Sequence, residues 1–100
     1  MGRYRFTKKA VDDLTQIWHY TYDKWSENQA DNYYHMLIEN CREIASNPDL
    51  GKSYSGITKG LSGFRSGRHI IFYHLVGEDL IEIIRILHEQ MDLKSRIKEK

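Results

Sequence analysis

The chain has 100 residues, 40% of them apolar and 29% charged, with a formal net charge of +1, which suits one hydrophobic core in a single soluble domain spanning residues 1–100. Its one cysteine, Cys41, excludes a disulfide framework and reads as a core residue in a reducing, cytoplasmic setting. The apolar runs are far too short to cross a membrane, and the basic, polar stretch from Met1 to Ala10 carries no secretory leader pattern.

Arg3 to Thr7 alternates, with Tyr4 and Phe6 on one face, and predicts a short strand. Thr7 is placed to cap a helix. In that helix Ala10, Leu14, Ile17, Thr21 and Trp25 recur at three- and four-residue steps, while Lys8, Lys9, Asp12, Asp13, Gln16 and Asp23 fall mostly elsewhere on the wheel. Ser26 and Gln29 have capping-box spacing and start a second helix. Its apolar stripe is Ala30, Tyr33, Leu37, Cys41, Ile44 and Ala45, and Asn47-Pro48 ends it. The spacing predicts an antiparallel helical hairpin over residues 8–46.

Asp49 to Gly63 is polar and contains Gly51, Gly56, Gly60 and Gly63, so it reads as a long surface loop. Phe64-Arg65 begins a strand that Ser66-Gly67 turns. Arg68 to Val76 is strongly β-forming, Gly77-Glu78-Asp79 makes the next turn, and Leu80 to His88 is a further strand, apolar on both faces apart from Glu82 and Arg85. Residues 89–100 are charged and form either a short helix or a flexible tail. The order β-α-α-β-β-β predicts an α+β fold, with the N-terminal strand and the helical hairpin packed on one face of a small antiparallel sheet. Two neighbouring strands that are apolar on each side require something to cover part of the second face.

Charge is uneven along the chain. Residues 1–50 hold six Lys/Arg and eight Asp/Glu, whereas residues 51–100 hold nine and six. From 50 to 77 there are Lys52, Lys59, Arg65 and Arg68 and not one carboxylate. Such a stretch suits an acidic protein partner or a phosphate backbone, or is simply a solvated loop.

Four segments carry a resemblance. Lys24-Trp25-Ser26, followed by Gln29-Ala30, closes the first helix, and Asn47-Pro48-Asp49-Leu50-Gly51-Lys52-Ser53 closes the second. Gly67-Arg68-His69-Ile70-Ile71-Phe72-Tyr73 forms the central strand. Arg85-Ile86-Leu87-His88 and then Met91-Asp92 end the last one. In this order, over nearly the whole length, the chain resembles ParE-type toxins of the RelE/ParE toxin–antitoxin superfamily. The resemblance implies a bacterial, plasmid-stabilising toxin that inhibits DNA gyrase and is neutralised by a ParD-like antitoxin. In the family the antitoxin dimerises and binds DNA through its N-terminal part and folds its C-terminal part onto the toxin. This chain itself is then expected to make no sequence-specific DNA contact, to need no cofactor and to be no enzyme. One departure stands out: family members often carry an aromatic-Arg pair after the loop glycine, where here Gly60 is followed by Leu61-Ser62 and the arginines come later.

Partner contacts are expected at Trp18, Tyr22 and Tyr34, which sit off or beside the apolar stripes and otherwise merely widen them. Arg65 and Arg68 are the candidates for acidic antitoxin residues or for the gyrase–DNA complex. The alternative is a ribosome-dependent mRNA endoribonuclease resembling RelE and YoeB, in which Arg85 would grip a phosphate and His88 would move a proton. Against it, positions three apart on a strand point to opposite faces. Tyr73 and His69 read as structural residues. Metal binding is not expected, because His19, His35, His69, His74 and His88 have no usual ligand spacing and Cys41 stands alone.

Overall fold

The computed structural model describes residues 2–98. Met1, Glu99 and Lys100 lie outside the described residues, so the reading of the tail is followed here to Lys98. Strand β1 (Arg3–Phe6) leads into helices α1 (Lys8–Lys24) and α2 (Glu27–Ser46). After a 3-10 turn (Pro48–Leu50) come β2 (Lys52–Ser53), β3 (Ser62–Ser66), β4 (His69–Leu75), β5 (Leu80–His88) and a short α3 (Leu93–Lys98). Both expected helix starts are capped by side chains: Ala10 N–H donates to Thr7 Oγ1 at 3.1 Å, and Gln29 N–H donates to Ser26 Oγ at 3.1 Å. Each cap satisfies one of the four amide groups that a helix start leaves without a partner.

The sheet has the order β1-β5-β4-β3-β2. It is antiparallel from β2 to β5, as expected, but β1 joins β5 in parallel, so the sheet is mixed. No tight turn links β1 to β5, and nothing local therefore dictates an antiparallel pair. Ion pairs Arg3–Asp79 and Arg5–Glu82, each at 3.0 Å, flank that pairing. The loop after the 3-10 turn also contributes the two-residue edge strand β2, which has too few residues to show any alternation.

The helices cover one face of the sheet. Leu14, Leu37, Cys41 and Ile44 pack there with Ile71, Tyr73, Ile81, Ile83 and Ile86. On the other face Leu61, Ile70, Phe72 and Leu87 are buried beneath Tyr54 and Ile57 from the loop and Leu93 and Ile97 from α3. This is the second cover that the doubly apolar strands called for. The Tyr73 hydroxyl, at the core edge, donates to the Pro48 carbonyl at 2.6 Å and accepts from Gly51 N–H at 3.0 Å. Position 51 must be glycine for this contact, since a Cβ there would lie 2.1 Å from that hydroxyl oxygen.

The register between β4 and β5 slips between Phe72 and Tyr73, which pair with Arg85 and Ile83. Ile84 is the extra residue of this bulge, and it changes which positions face the helices. Ile81 and Ile83 face them before the bulge and Ile86 after it.

Trp25, expected on the apolar stripe of α1, is instead 72% exposed. The helix ends at Lys24, and Trp25 is the capping residue at the tip of the hairpin.

Candidate functional site

Two concavities flank α1. The first lies on the outer side of the helical hairpin, has a volume of about 590 Å3, and is lined by Val11, Leu14, Trp18, Asp31 and Tyr34 among others. Trp18 stacks on Tyr22 with ring centroids 5.3 Å apart and planes 22° from parallel. Its Nε1–H donates to Asp31 Oδ1 at 3.0 Å, which ties α1 to α2. The structure therefore brings the three suggested aromatic residues together: Trp18 and Tyr34 line the groove, and Tyr22 backs Trp18. Tyr22, Tyr34 and Val11 remain exposed. Large, stiff side chains with a polar tip give much contact area for little lost rotamer freedom.

Arg65 and Arg68 stand elsewhere, at the end of the sheet where β3 turns into β4. Arg65 pairs with Glu89 at 2.6 Å, with most of its side chain exposed. Arg68 is exposed in the turn, and its N–H donates to the Tyr33 hydroxyl at 3.0 Å. The next-door Gly67 has a φ of +61°, which favours glycine at this tight turn.

The second concavity, of about 580 Å3, holds Asp13, Tyr20, His69, Arg85, His88 and Arg96 on its walls. Asp13, assigned by the helical wheel to the polar side, is only 8% exposed. The reason is the incomplete sheet edge. Strand β1 pairs only as far as Ile83, so the last residues of β5 border α1 instead of a strand. Thr7 Oγ1 donates to the Ile84 carbonyl at 2.9 Å, and Asp13 Oδ2 accepts from Ile86 N–H at 3.0 Å. Arg85, 9% exposed, gives a bidentate grip to the same carboxylate, Nε to Oδ2 at 2.8 Å and an Nη to Oδ1 at 3.0 Å. Its other Nη donates to the Arg96 carbonyl at 3.0 Å. Arg85 thus braces α1, β5 and α3 together. Arg85 and His88 border the same cleft although they are three apart in β5, because the cleft follows the free edge of the strand.

His69, read from the sequence as structural, has its Nδ1 2.7 Å from the Tyr33 hydroxyl and its ring packed edge-on to His88. Burial, followed by the neighbouring His88, pushes its pKa down to about 4. Burial alone pushes the Cys41 thiol up to about 12, so it is inert at neutral pH.

The His69 pKa has a consequence for stability. The unfolded chain takes up this proton near pH 6.5 and the folded one only near 4. Its contribution is therefore complete above pH 6.5 and is lost as pH falls towards 4. The full linkage would be about 3 kcal/mol, and partial solvent screening of the ring reduces the expected value to about 1–2 kcal/mol. In urea melts across this range His69→Gln should show a flatter acid limb than the parent. Parallel limbs would remove His69 as the titrating group.

Three comparisons bear on this arrangement. The family described as "ParE toxin of type II toxin-antitoxin system, parDE" matches residues 4–93. Among curated relatives, a "Toxin ParE1" of Mycobacterium tuberculosis is 35% identical over 96 residues, covering 96% of this chain and 98% of its own. A "Toxin ParE1" of Caulobacter vibrioides is 34% identical over 97 residues, covering 97% and 99%. The solved structure "Chromosomal ParDE TA system from P. aeruginosa" contains a chain of the same fold, with a TM-score of 0.74 over 88% of this chain and 95% of that one, at 18% identity.

Proposed function

This chain belongs to the ParE toxin family of type II toxin–antitoxin systems, and on that premise we propose that it poisons DNA gyrase in the cytoplasm by binding, without chemistry of its own, and is silenced by a ParD-like antitoxin. The observation that carries the antitoxin part is the aromatic groove on the hairpin, where Trp18, backed by Tyr22, and Tyr34 offer anchors to an amphipathic segment that folds as it binds. The engagement of Arg85 by Asp13 supports binding over ribonuclease chemistry: the cation best suited to grip a phosphate is already held in a bidentate ion pair.

Arg65 and Arg68 are the proposed contacts to the gyrase–DNA complex. They lie at the β3–β4 turn, where the Arg68 N–H meets the Tyr33 hydroxyl of α2, in the stretch that has no carboxylate from 50 to 77. A supercoiling assay with purified gyrase, ATP and relaxed plasmid tests the target. The toxin should stop supercoiling and leave linear DNA after denaturation. Arg65→Ala with Arg68→Ala should raise the concentration needed by about tenfold or more, through lost charge complementarity. A gyrase that works normally beside active toxin rejects the target. In that event, ribosome-dependent mRNA cleavage abolished by His88→Ala would establish the enzyme reading in its place.

A further inference from the structure

The cleft behind α1 lies apart from the residues proposed above for gyrase and for the antitoxin. Its volume of about 580 Å3 falls in the range of small-molecule sites, roughly 300–1,000 Å3. Its α1 wall runs from Lys9 to Tyr20, about 16 Å along the helix axis. The hydrogen bonds fix how that wall lies against the sheet. Thr7 bonds at Ile83 and Ile84, and Asp13 at Ile86, so α1 and β5 advance in the same sense. His88 then comes level with the turn that carries Ile17 and Tyr20.

One end of the cleft is cationic. Lys9 stands one helical turn before Asp13, and Arg96 is tied by its carbonyl to Arg85 at the level of Asp13. Arg85 and Asp13 neutralise each other, which leaves Lys9 and Arg96 facing Asp12 as the only remaining carboxylate on the lining. The other end is aromatic, with Tyr20 64% exposed beside His69 and His88.

The neutral His88 imidazole has a fixed tautomer: Gln90 N–H donates to its Nδ1 at 3.1 Å, so the ring carries its hydrogen on Nε2. His69 Nδ1 is engaged by the Tyr33 hydroxyl at 2.7 Å, which itself accepts from Arg68 N–H at 3.0 Å and has the Ser66 carbonyl 3.5 Å away. Neither Nε2 has a hydrogen-bond acceptor among the described residues.

From this layout we infer that the cleft binds a nucleoside monophosphate. The phosphate lies between Lys9 and Arg96, and the base rests against Tyr20, with an acceptor atom taking the Nε2–H donor of His88 and its polar edge meeting His69 Nε2. No bond is broken, and the inference stands or falls independently of gyrase and antitoxin.

The test is a titration of the full-length 15N-labelled chain, followed by amide chemical shifts, with AMP, adenosine and inorganic phosphate in separate arms at millimolar concentration. AMP should shift Lys9, Tyr20, His88 and Arg96 saturably. Adenosine and inorganic phosphate should each bind about tenfold more weakly, because each engages only one end. Lys9→Met should weaken AMP about tenfold, whereas Asp12→Asn should tighten it a few-fold. Both changes lie at the rim and leave the Asp13–Arg85 pair in place, so the parent melting temperature is the check on folding. Shifts confined to Arg65 and Arg68, inorganic phosphate binding as tightly as AMP, or an affinity indifferent to both substitutions would each overturn the assignment.

Discussion

Asp13→Ala is expected to cost about 3–5 kcal/mol of folding stability, the typical loss when one partner of a buried ion pair is removed. Three hydrogen bonds are lost together. Arg85 keeps a guanidinium in a site where it is 9% exposed, and Ile86 N–H loses its acceptor. Arg85 keeps its bond to the Arg96 carbonyl, which does not replace the lost charge. A domain of this size has about 5–15 kcal/mol in total, so the variant approaches the folding threshold. Its melting temperature should fall by about 4–8 °C for each kcal/mol. Urea unfolding of Asp13→Ala, Arg85→Met and the combined Asp13→Leu/Arg85→Met variant gives the discriminating comparison. The double change removes both charges and fills the space, so it should be less destabilised than the sum of the singles and can approach the parent. A loss below about 1 kcal/mol for Asp13→Ala would mean that water replaces the carboxylate and that the pair is dispensable.

This brace also governs how loss-of-function data must be read. Arg85→Ala would lower toxicity by destabilising the fold, whether or not Arg85 ever meets a phosphate. His88 is the better probe of ribonuclease chemistry, because its ring lines the cleft while its Nδ1 accepts a merely local bond, from Gln90 N–H. A toxin with His88→Ala that stays folded and still arrests cells would leave the enzymatic alternative without its acid or base.

The parts of the fold that follow local rules were legible in the sequence. Helix starts at Thr7 and Ser26, the stop at Asn47-Pro48, and the β4–β5 hairpin depend on neighbours within a few residues. Tyr73 and Cys41 could be assigned to the core because their surroundings are apolar on every side. What escaped depends on long-range geometry. The parallel pairing of β1 with β5 joins residues 77 apart in the chain and has no turn signal. The burial of Asp13 requires an arginine 72 residues away and a strand edge left open where β1 ends. A helical wheel assigns an aspartate to solvent by default, and nothing near Asp13 reveals the guanidinium waiting in β5. The bulge at Ile84 is equally invisible, since either face of that strand is apolar. For the candidate contacts, helical spacing could place Trp18, Tyr22 and Tyr34 beside the stripes but could not decide between core and surface. The indole bond to Asp31, a residue of the other helix, is what makes them one groove.

That groove sets the second large effect. With an antitoxin segment seated in it, Trp18→Ala is expected to weaken toxin–antitoxin binding by at least 2 kcal/mol, about thirtyfold, as for aromatic anchors at interface centres. The indole is held by stacking on Tyr22 and by its bond to Asp31, so it meets a partner in one orientation and little entropy is lost on docking. Tyr22→Ala should act through Trp18, loosening it and costing about 1 kcal/mol although Tyr22 need not touch the partner. Trp18→Phe keeps a ring in place but removes the Nε1–H donor, and its loss should fall between the parent and alanine, by about one hydrogen bond. Titration calorimetry against the antitoxin gives these affinities, with thermal melts of the free toxin to separate binding from folding. Cells would report the same effect with opposite sign. A toxin that still poisons but escapes its antitoxin should kill when both are expressed together. If Trp18→Ala and Tyr34→Ala each leave affinity within about twofold, the antitoxin binds elsewhere. The stacked aromatics would then serve mainly to hold the two helices together.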